Sequence, residues 1–200
     1  MIIVGSGNLG KLILEQIVAE KSLFSEQNIL FFDEKTSEDL IFGKYKILKS
    51  NEQIKEYCYL TGDLSYFVAI GNPRIRMKYD SFFKELGCLP EDIIMNLSIK
   101  SENSIYEKHL YLGYLSGIYH SCSIGYSNII HAYCRLGHGI QTGSFVNISS
   151  GTSILANTSI GDFTFIGANA LIMPNVKIGK NCYVNAGSII KSDMKEYETR

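Results

Sequence analysis

His138 lies in the stretch "CRLGHGIQTGSFVNISSG", residues 134–151, among small and aliphatic residues. An imidazole has little packing value in such a run, so it is either tolerated there or does chemistry. A second constellation lies near the N-terminus, where "GSGNLG" places Gly5, Gly7 and Gly10 between an apolar run and a helical one. Glycines at such a junction let backbone N–H groups approach a phosphate at the positive end of a helix. Asp33 follows about twenty residues later, a separation that suits a ribose-binding carboxylate. Alone, this pattern would point to NAD. No metal is implied: Cys58, Cys88, Cys122, Cys134 and Cys182 show no ligand spacing, and their odd number reads as reduced thiols.

The elements that carry these residues follow two rhythms. In residues 1–99 short apolar runs alternate with helical patterns: "MIIV", "NILFFDE", "YFVAIGN" and "DIIMNLSI" read as strands. The segments "NLGKLILEQIVAE" and "PRIRMKYDSFFKELG" read as helices, and Pro73 opens the second. That alternation predicts a small Rossmann-like α/β domain with a parallel sheet over 1–99. From residue 112 the beat becomes six. Positions 112 to 190, taken every sixth residue, are aliphatic except for Thr142. No helix has that period and a flat strand would show two, so the chain turns a corner every six residues and closes a triangular coil in eighteen. Glycines often follow the stripe, as at Gly113, Gly125, Gly137, Gly143, Gly161, Gly167 and Gly179, and are expected to supply permissive corner angles. A parallel β-helix of hexapeptide repeats is therefore expected over 100–200. A solenoid with flat, weakly charged faces is expected to self-associate.

The 200 residues carry 46% hydrophobic content and a formal net charge of −1. The near-neutral balance argues against nucleic-acid binding. No apolar run has membrane-spanning length and no cleavable leader is evident, so the expected location is cytoplasmic. A dehydrogenase is disfavoured because the second half offers coil rather than a catalytic domain.

"IIVGSGNLG", "FFDE" and "VAIGNPRIR", followed by "LGHGIQTGSFVNISSG" and "IGANALIMPNVKIGKNCYVNAGS", together resemble one family across nearly the whole chain. It is the bacterial sugar acyltransferases of the sialic acid O-acetyltransferase and bacillosamine N-acetyltransferase type. The resemblance implies a left-handed β-helix, a homotrimer, and transfer of acetyl from acetyl-CoA to an amino or hydroxyl group of a nucleotide-linked sugar. The setting it implies is surface-glycan biosynthesis. It places the general base on His138, a role that a neutral imidazole fills well. Gly7, Asn8 and Leu9 would meet the sugar-nucleotide, Asp33 and Glu34 its base or ribose, and Gly71 the wall of the pocket. His131 stands where the family carries an asparagine near the sugar. Asn147, Ala168 and Ala186 correspond to acetyl-CoA contacts. Arg74 and Arg76 are candidates for a diphosphate, and Lys177 and Lys180 for CoA phosphates, or all four are solvated surface. Two departures stand out: Gly139 replaces an acidic residue that follows the base, and Asn147 replaces a second histidine. They favour the alternative, a non-catalytic trimeric relative that binds a nucleotide-sugar or a partner enzyme.

Overall fold

Every residue of the run Ile2–Val4 is buried, as expected of a strand covered on both faces. This is β1 of a computed structural model that describes residues 1–20, 29–62 and 64–200. The chain divides into two units, Met1–Glu91 and Asp92–Arg200. In the first, β1 leads through Gly7 into α1 (Asn8–Ala19), followed by β2 (Leu30–Phe32), β3 (Leu40–Ile41) and β4 (Tyr45–Leu48). Then come α2 (Asn51–Thr61), β5 (Ser65–Val68), α3 (Pro73–Glu85) and β6 (Leu89–Pro90). The sheet order is β3-β4-β2-β1-β5-β6, parallel throughout except for the β3–β4 pair. The sequence patterns did not foresee α2, β3 or β4. Asn28, where the second strand was expected to begin, lies outside the described residues.

Local chemistry starts the helices. Asn72 accepts from the Arg74 and Ile75 amides at 3.0 and 3.1 Å and Pro73 follows it, so α3 begins where its first orphan N–H groups are met. Ser50 caps α2 in the same way. By contrast, α1 begins at Gly7 with no side-chain cap and no acidic residue in its first turn, so its first N–H groups are met by no side chain of the helix start itself.

The second unit is a parallel β-helix. Between the coil strands residue i pairs with i+18, as in Tyr111↔Ile129 and Ile154↔Ile172, and only the last bridges, Ile178↔Met194 and Tyr183↔Thr199, shorten to i+16. Two-residue strands stack into three sheets that form the faces of a prism. The first runs from Ile93–Ile94 to Tyr183–Val184, the second from Ile99–Lys100 to Ile189–Ile190, and the third from Ile105–Tyr106 to Lys177–Ile178. The aliphatic stripe fills the interior, with Ile118, Ile130, Leu136, Ile148, Ile166 and Ile172 wholly buried. Each such side chain contributes about 1.5–3 kcal/mol through burial.

Two expectations differ from what is observed. "DIIMNLSI" was expected to close the α/β half. Instead Ile93–Ile94 pairs with Tyr111–Leu112 as the first coil strand, so the expected boundary at 99/100 falls inside the first coil. The beat was invisible there because Lys100 and Tyr106 occupy the stripe positions after Ile94. The stripe-following glycines do not have left-handed backbone angles. They stand where one coil crosses the next, and a Cβ on Gly113 would lie 2.6 Å from the Ala132 nitrogen. The left-handed position is three residues after the stripe, held by Ser121, Tyr133, Phe145, Asn157 and Asn175 and by Gly139 and Gly151. Stacking imposes that corner even on bulky residues that disfavour it.

Candidate active site

The loop between β1 and α1, the segment after β2 and the loop between β5 and α3 enclose a cleft of about 360 Å³ in the first unit. Gly7, Asn8, Leu9, Asp33 and Gly71 all line it, as do Lys35, Ile75 and Tyr79. Gly5 has φ +101°, and Gly10 is pressed against the Gly5 carbonyl, so both are required by the turn itself. Gly7 and Gly71 differ, since a Cβ on either would meet no protein atom within 4 Å. That open space faces the uncapped start of α1, an arrangement suited to a phosphate.

Asp33 is half-buried at the edge of the cleft. Its Oδ2 accepts from the Ser6 amide and hydroxyl at 2.8 and 2.7 Å, and its Oδ1 from the Lys35 amide at 2.9 Å. Partial burial acts to raise its pKa, but the Ser6 and Lys35 hydrogen bonds outweigh it and hold the carboxyl below its ordinary value. Asp33 thus ties the glycine loop to the end of β2. Glu34 is exposed and does not line the cleft; it accepts a hydrogen bond from the Tyr79 hydroxyl at 3.0 Å. Burial, aided by Glu34, pushes the Tyr79 phenol up to about 12, which keeps it a donor.

Arg76, a candidate for a diphosphate, is wholly buried. Its guanidinium donates to the Ile70 carbonyl at 2.7 Å and the Gly71 carbonyl at 3.2 Å, fixing the loop that forms one wall of the cleft. Burial presses its pKa down while the charge of Asp80 opposes the shift. Arg74 is exposed on α3. Ser6 and Tyr79 escaped the sequence because each acts through a partner distant in the chain, and the anchoring role of Arg76 because nothing in the sequence shows that its side chain turns back onto the loop before its own helix.

On the coil, His138 is exposed at the corner between the second and third faces. Its ring stacks on that of His120, eighteen residues earlier, with centroids 5.2 Å apart and planes within 3°. Gly139 beside it has φ +69°, and the Asn157 Oδ1 of the next coil fills the space a side chain at 139 would take. His131 stands at the corner between the first and second faces, its ring edge-on to Tyr111 at 6.0 Å. Ala168 and Ala186 occupy that same corner one coil apart. Asn147 lies on the first face, buried to 2% exposure, with no hydrogen-bond partner for Oδ1 among the described residues. Within one chain, therefore, His138 stands at a different corner from His131, Ala168 and Ala186. Lys180 is paired with Asp162 at 2.8 Å, whereas Lys177 is exposed at the end of the third face. His109 is buried against Tyr126.

Among the described residues no helix is long and apolar enough to cross a membrane, and no cluster of His, Cys, Asp and Glu could hold a metal ion.

Residues 1–81 match the PglD N-terminal domain family, and residues 157–192 match the bacterial transferase hexapeptide (six repeats) family. No curated protein sequence matches the chain. Among solved structures, the chain is similar to a histidine-to-asparagine variant of perosamine N-acetyltransferase from Caulobacter crescentus, in complex with CoA and GDP-perosamine. Identity is 20%, coverage is 98% of this chain and 90% of that one, and the TM-score is 0.87. The acetyltransferase domain of PglB from Neisseria gonorrhoeae, in complex with acetyl coenzyme A, is 21% identical. It covers 99% and 93% of the two chains with a TM-score of 0.85. WeeI from Acinetobacter baumannii is 18% identical over 99% and 94%, with a TM-score of 0.86. The likeness at this identity establishes the shared fold. The two family matches follow one another along the chain, a PglD N-terminal domain first and bacterial transferase hexapeptide repeats after it.

Proposed function

We propose that this protein transfers acetyl from acetyl-CoA to the amino group of a nucleotide-linked sugar, with His138 as general base. The observation that carries the reading is the cleft of the first unit, where Gly7, Asn8, Leu9, Asp33 and Gly71 converge on open space at an uncapped helix start. In this reading the first unit is the nucleotide-sugar domain and the coil the acyltransferase domain. The amine nitrogen attacks the thioester carbonyl carbon, the C–S bond breaks, and the proton leaving nitrogen passes to the His138 imidazole. The departing thiolate is then protonated, which gives free CoA. General-base assistance of this kind is worth about 10²–10⁴-fold.

A homotrimer completes the site. His138 and the alanines proposed to line the cofactor, Ala168 and Ala186, lie at different corners of one prism. Packing three prisms side by side would bring the His138 corner of one copy against the cofactor corner of the next. His131 would stand near the sugar, and Asn147 near the acetyl end of the cofactor. The perosamine N-acetyltransferase supports an amine over a hydroxyl as acceptor, and the CoA and acetyl-CoA held by the perosamine and PglB structures support the use of acetyl-CoA. A cytoplasmic enzyme of surface-glycan assembly fits these substrates.

The test is release of free CoA from acetyl-CoA with a panel of UDP-, GDP-, CMP- and dTDP-linked amino and hydroxy sugars. Turnover with an amino sugar that His138→Ala abolishes and His131→Ala spares is the expected result. Nucleotide-sugar binding without turnover on any member would instead identify a non-catalytic relative.

A further inference from the structure

We infer that His120 is a positioning residue that fixes the plane of the His138 imidazole, a role that rests on the reading of His138 as the base. A base must hold its lone pair on the proton it removes, and an exposed side chain on a corner has rotamer freedom to lose. Within the chain, no hydrogen bond to the His138 ring is present among the described residues, and the next residue is Gly139, which has no side chain to orient it. The coil register decides what else can touch the ring. The corner column that contains His138 reads Glu102, His120, His138, Ala156, Pro174, each eighteen residues apart, so His120 and Ala156 are the neighbours of His138.

Ala156 offers only a methyl on one side. His120 offers a flat ring on the other, and the two imidazoles lie 5.2 Å apart and 3° from parallel. His120 is itself held, because its Nδ1 shares a hydrogen bond with the Ser121 hydroxyl at 3.2 Å. A chain Ser121–His120–His138 thus transmits a fixed orientation from one coil to the next. The space beside Gly139 is closed by the Asn157 carboxamide, which leaves the stacked ring as the orienting contact on this corner.

The experiment compares His120→Ala with His120→Phe, which keeps a flat ring but no ring nitrogen. The expected result is a kcat about ten- to a hundredfold lower in His120→Ala with KM for acetyl-CoA unchanged, since a misplaced base affects the reacting step and not cofactor binding. His120→Phe restores most of kcat. A readout independent of turnover is the NMR shift of the His138 ring C–H protons, assigned by their loss in His138→Ala. Ring current from the neighbour displaces these signals in wild type and His120→Phe, and the displacement disappears in His120→Ala. The inference is overturned if the His138 signals coincide in wild type and His120→Ala, or if kcat is the same in both. Absence of turnover with every sugar would count against the proposed reaction alone, and the ring shifts would still decide whether His120 holds His138.

Discussion

Asn128 donates from Nδ2 to the Thr142 hydroxyl at 2.7 Å inside the coil, at the one break in the aliphatic stripe between Leu112 and Ile190. At equivalent places Thr164 accepts from the amide eighteen residues on and donates to the carbonyl fifteen residues on. Asn128 makes the same two bonds, from the Val146 amide and to the Gly143 carbonyl. Its longer carboxamide then has a proton left over, and Thr142 receives it. Thr142→Val keeps the shape but removes that acceptor, so it should cost about 1–3 kcal/mol in denaturant unfolding. The pair Asn128→Thr with Thr142→Ile restores the pattern of the other coils and should recover the loss. A double variant no more stable than Thr142→Val would show that the pairing is not the cause.

Gly7 and Gly10 should separate folding from binding. A Cβ on Gly10 would run into the Gly5 carbonyl and lie 3.2 Å from the Phe31 ring. Gly10→Ala should therefore destabilise the first unit by roughly 2–4 kcal/mol, because backbone must move to admit it. A Cβ on Gly7 meets nothing in the protein but enters the cleft. Gly7→Ala should leave the thermal midpoint within a degree or two of wild type, as expected of a change worth under about 0.5 kcal/mol. It should weaken binding of a nucleotide-sugar by calorimetry. Equal effects of the two substitutions on the midpoint would contradict this division.

What the sequence made legible follows from how each feature is encoded. Every coil repeats one stripe position, so a single failure at Thr142 could not hide the period, whereas two failures in the first coil, Lys100 and Tyr106, hid its start. The glycines after the stripe were visible but their reason was not. A residue that avoids a collision and one that adopts a left-handed angle look alike in sequence, and only the positive φ at Phe145 or Tyr133 separates them. Gly7 was legible because a glycine loop marks its own place, whereas Gly71 came only through the family resemblance. Ser6 on Asp33, Tyr79 on Glu34 and Asn157 over Gly139 were not legible, since each joins residues 18 to 45 apart with no pattern linking them. Arg76 shows the limit most clearly, because an arginine beside a candidate phosphate site turned inward to hold two carbonyls.

Asp33 should make the stability of the first unit depend on acid. Its folded pKa lies below the ordinary value of 3.8, so between those two values the unfolded chain binds more protons than the folded one. Stability from this group is present above the ordinary value and is lost as pH falls through the depressed one. Asp33→Asn removes that dependence. Urea midpoints measured from roughly pH 6 downward should fall more steeply for wild type than for Asp33→Asn once the pH passes below 3.8, and the two curves should draw together as the pH falls through the depressed pKa. Parallel curves would mean that the Ser6 and Lys35 hydrogen bonds do not favour the ionised carboxylate.

Gly139 offers the most direct test of what the missing carboxylate does. At φ +69° a side chain costs about 1 kcal/mol, yet Ser121, Asn157 and Asn175 stand in the same column with positive φ, so the corner admits one. The obstacle is the Asn157 Oδ1, the far end of a movable side chain. Gly139→Asp should therefore lower the unfolding free energy by about 1–2 kcal/mol, from the angle and from displacing Asn157. Adding Asn157→Gly clears the space and gives the next coil a residue at ease in the left-handed region, which should return most of that stability. The double variant would then carry a carboxylate beside His138 that can orient the ring and stabilise the charge it acquires on taking a proton. A rise in kcat for Gly139→Asp/Asn157→Gly over Asn157→Gly alone, with KM for acetyl-CoA unchanged, is the expected result. No rise would mean that the imidazole is already oriented without it, as a His120 stack that suffices by itself would require.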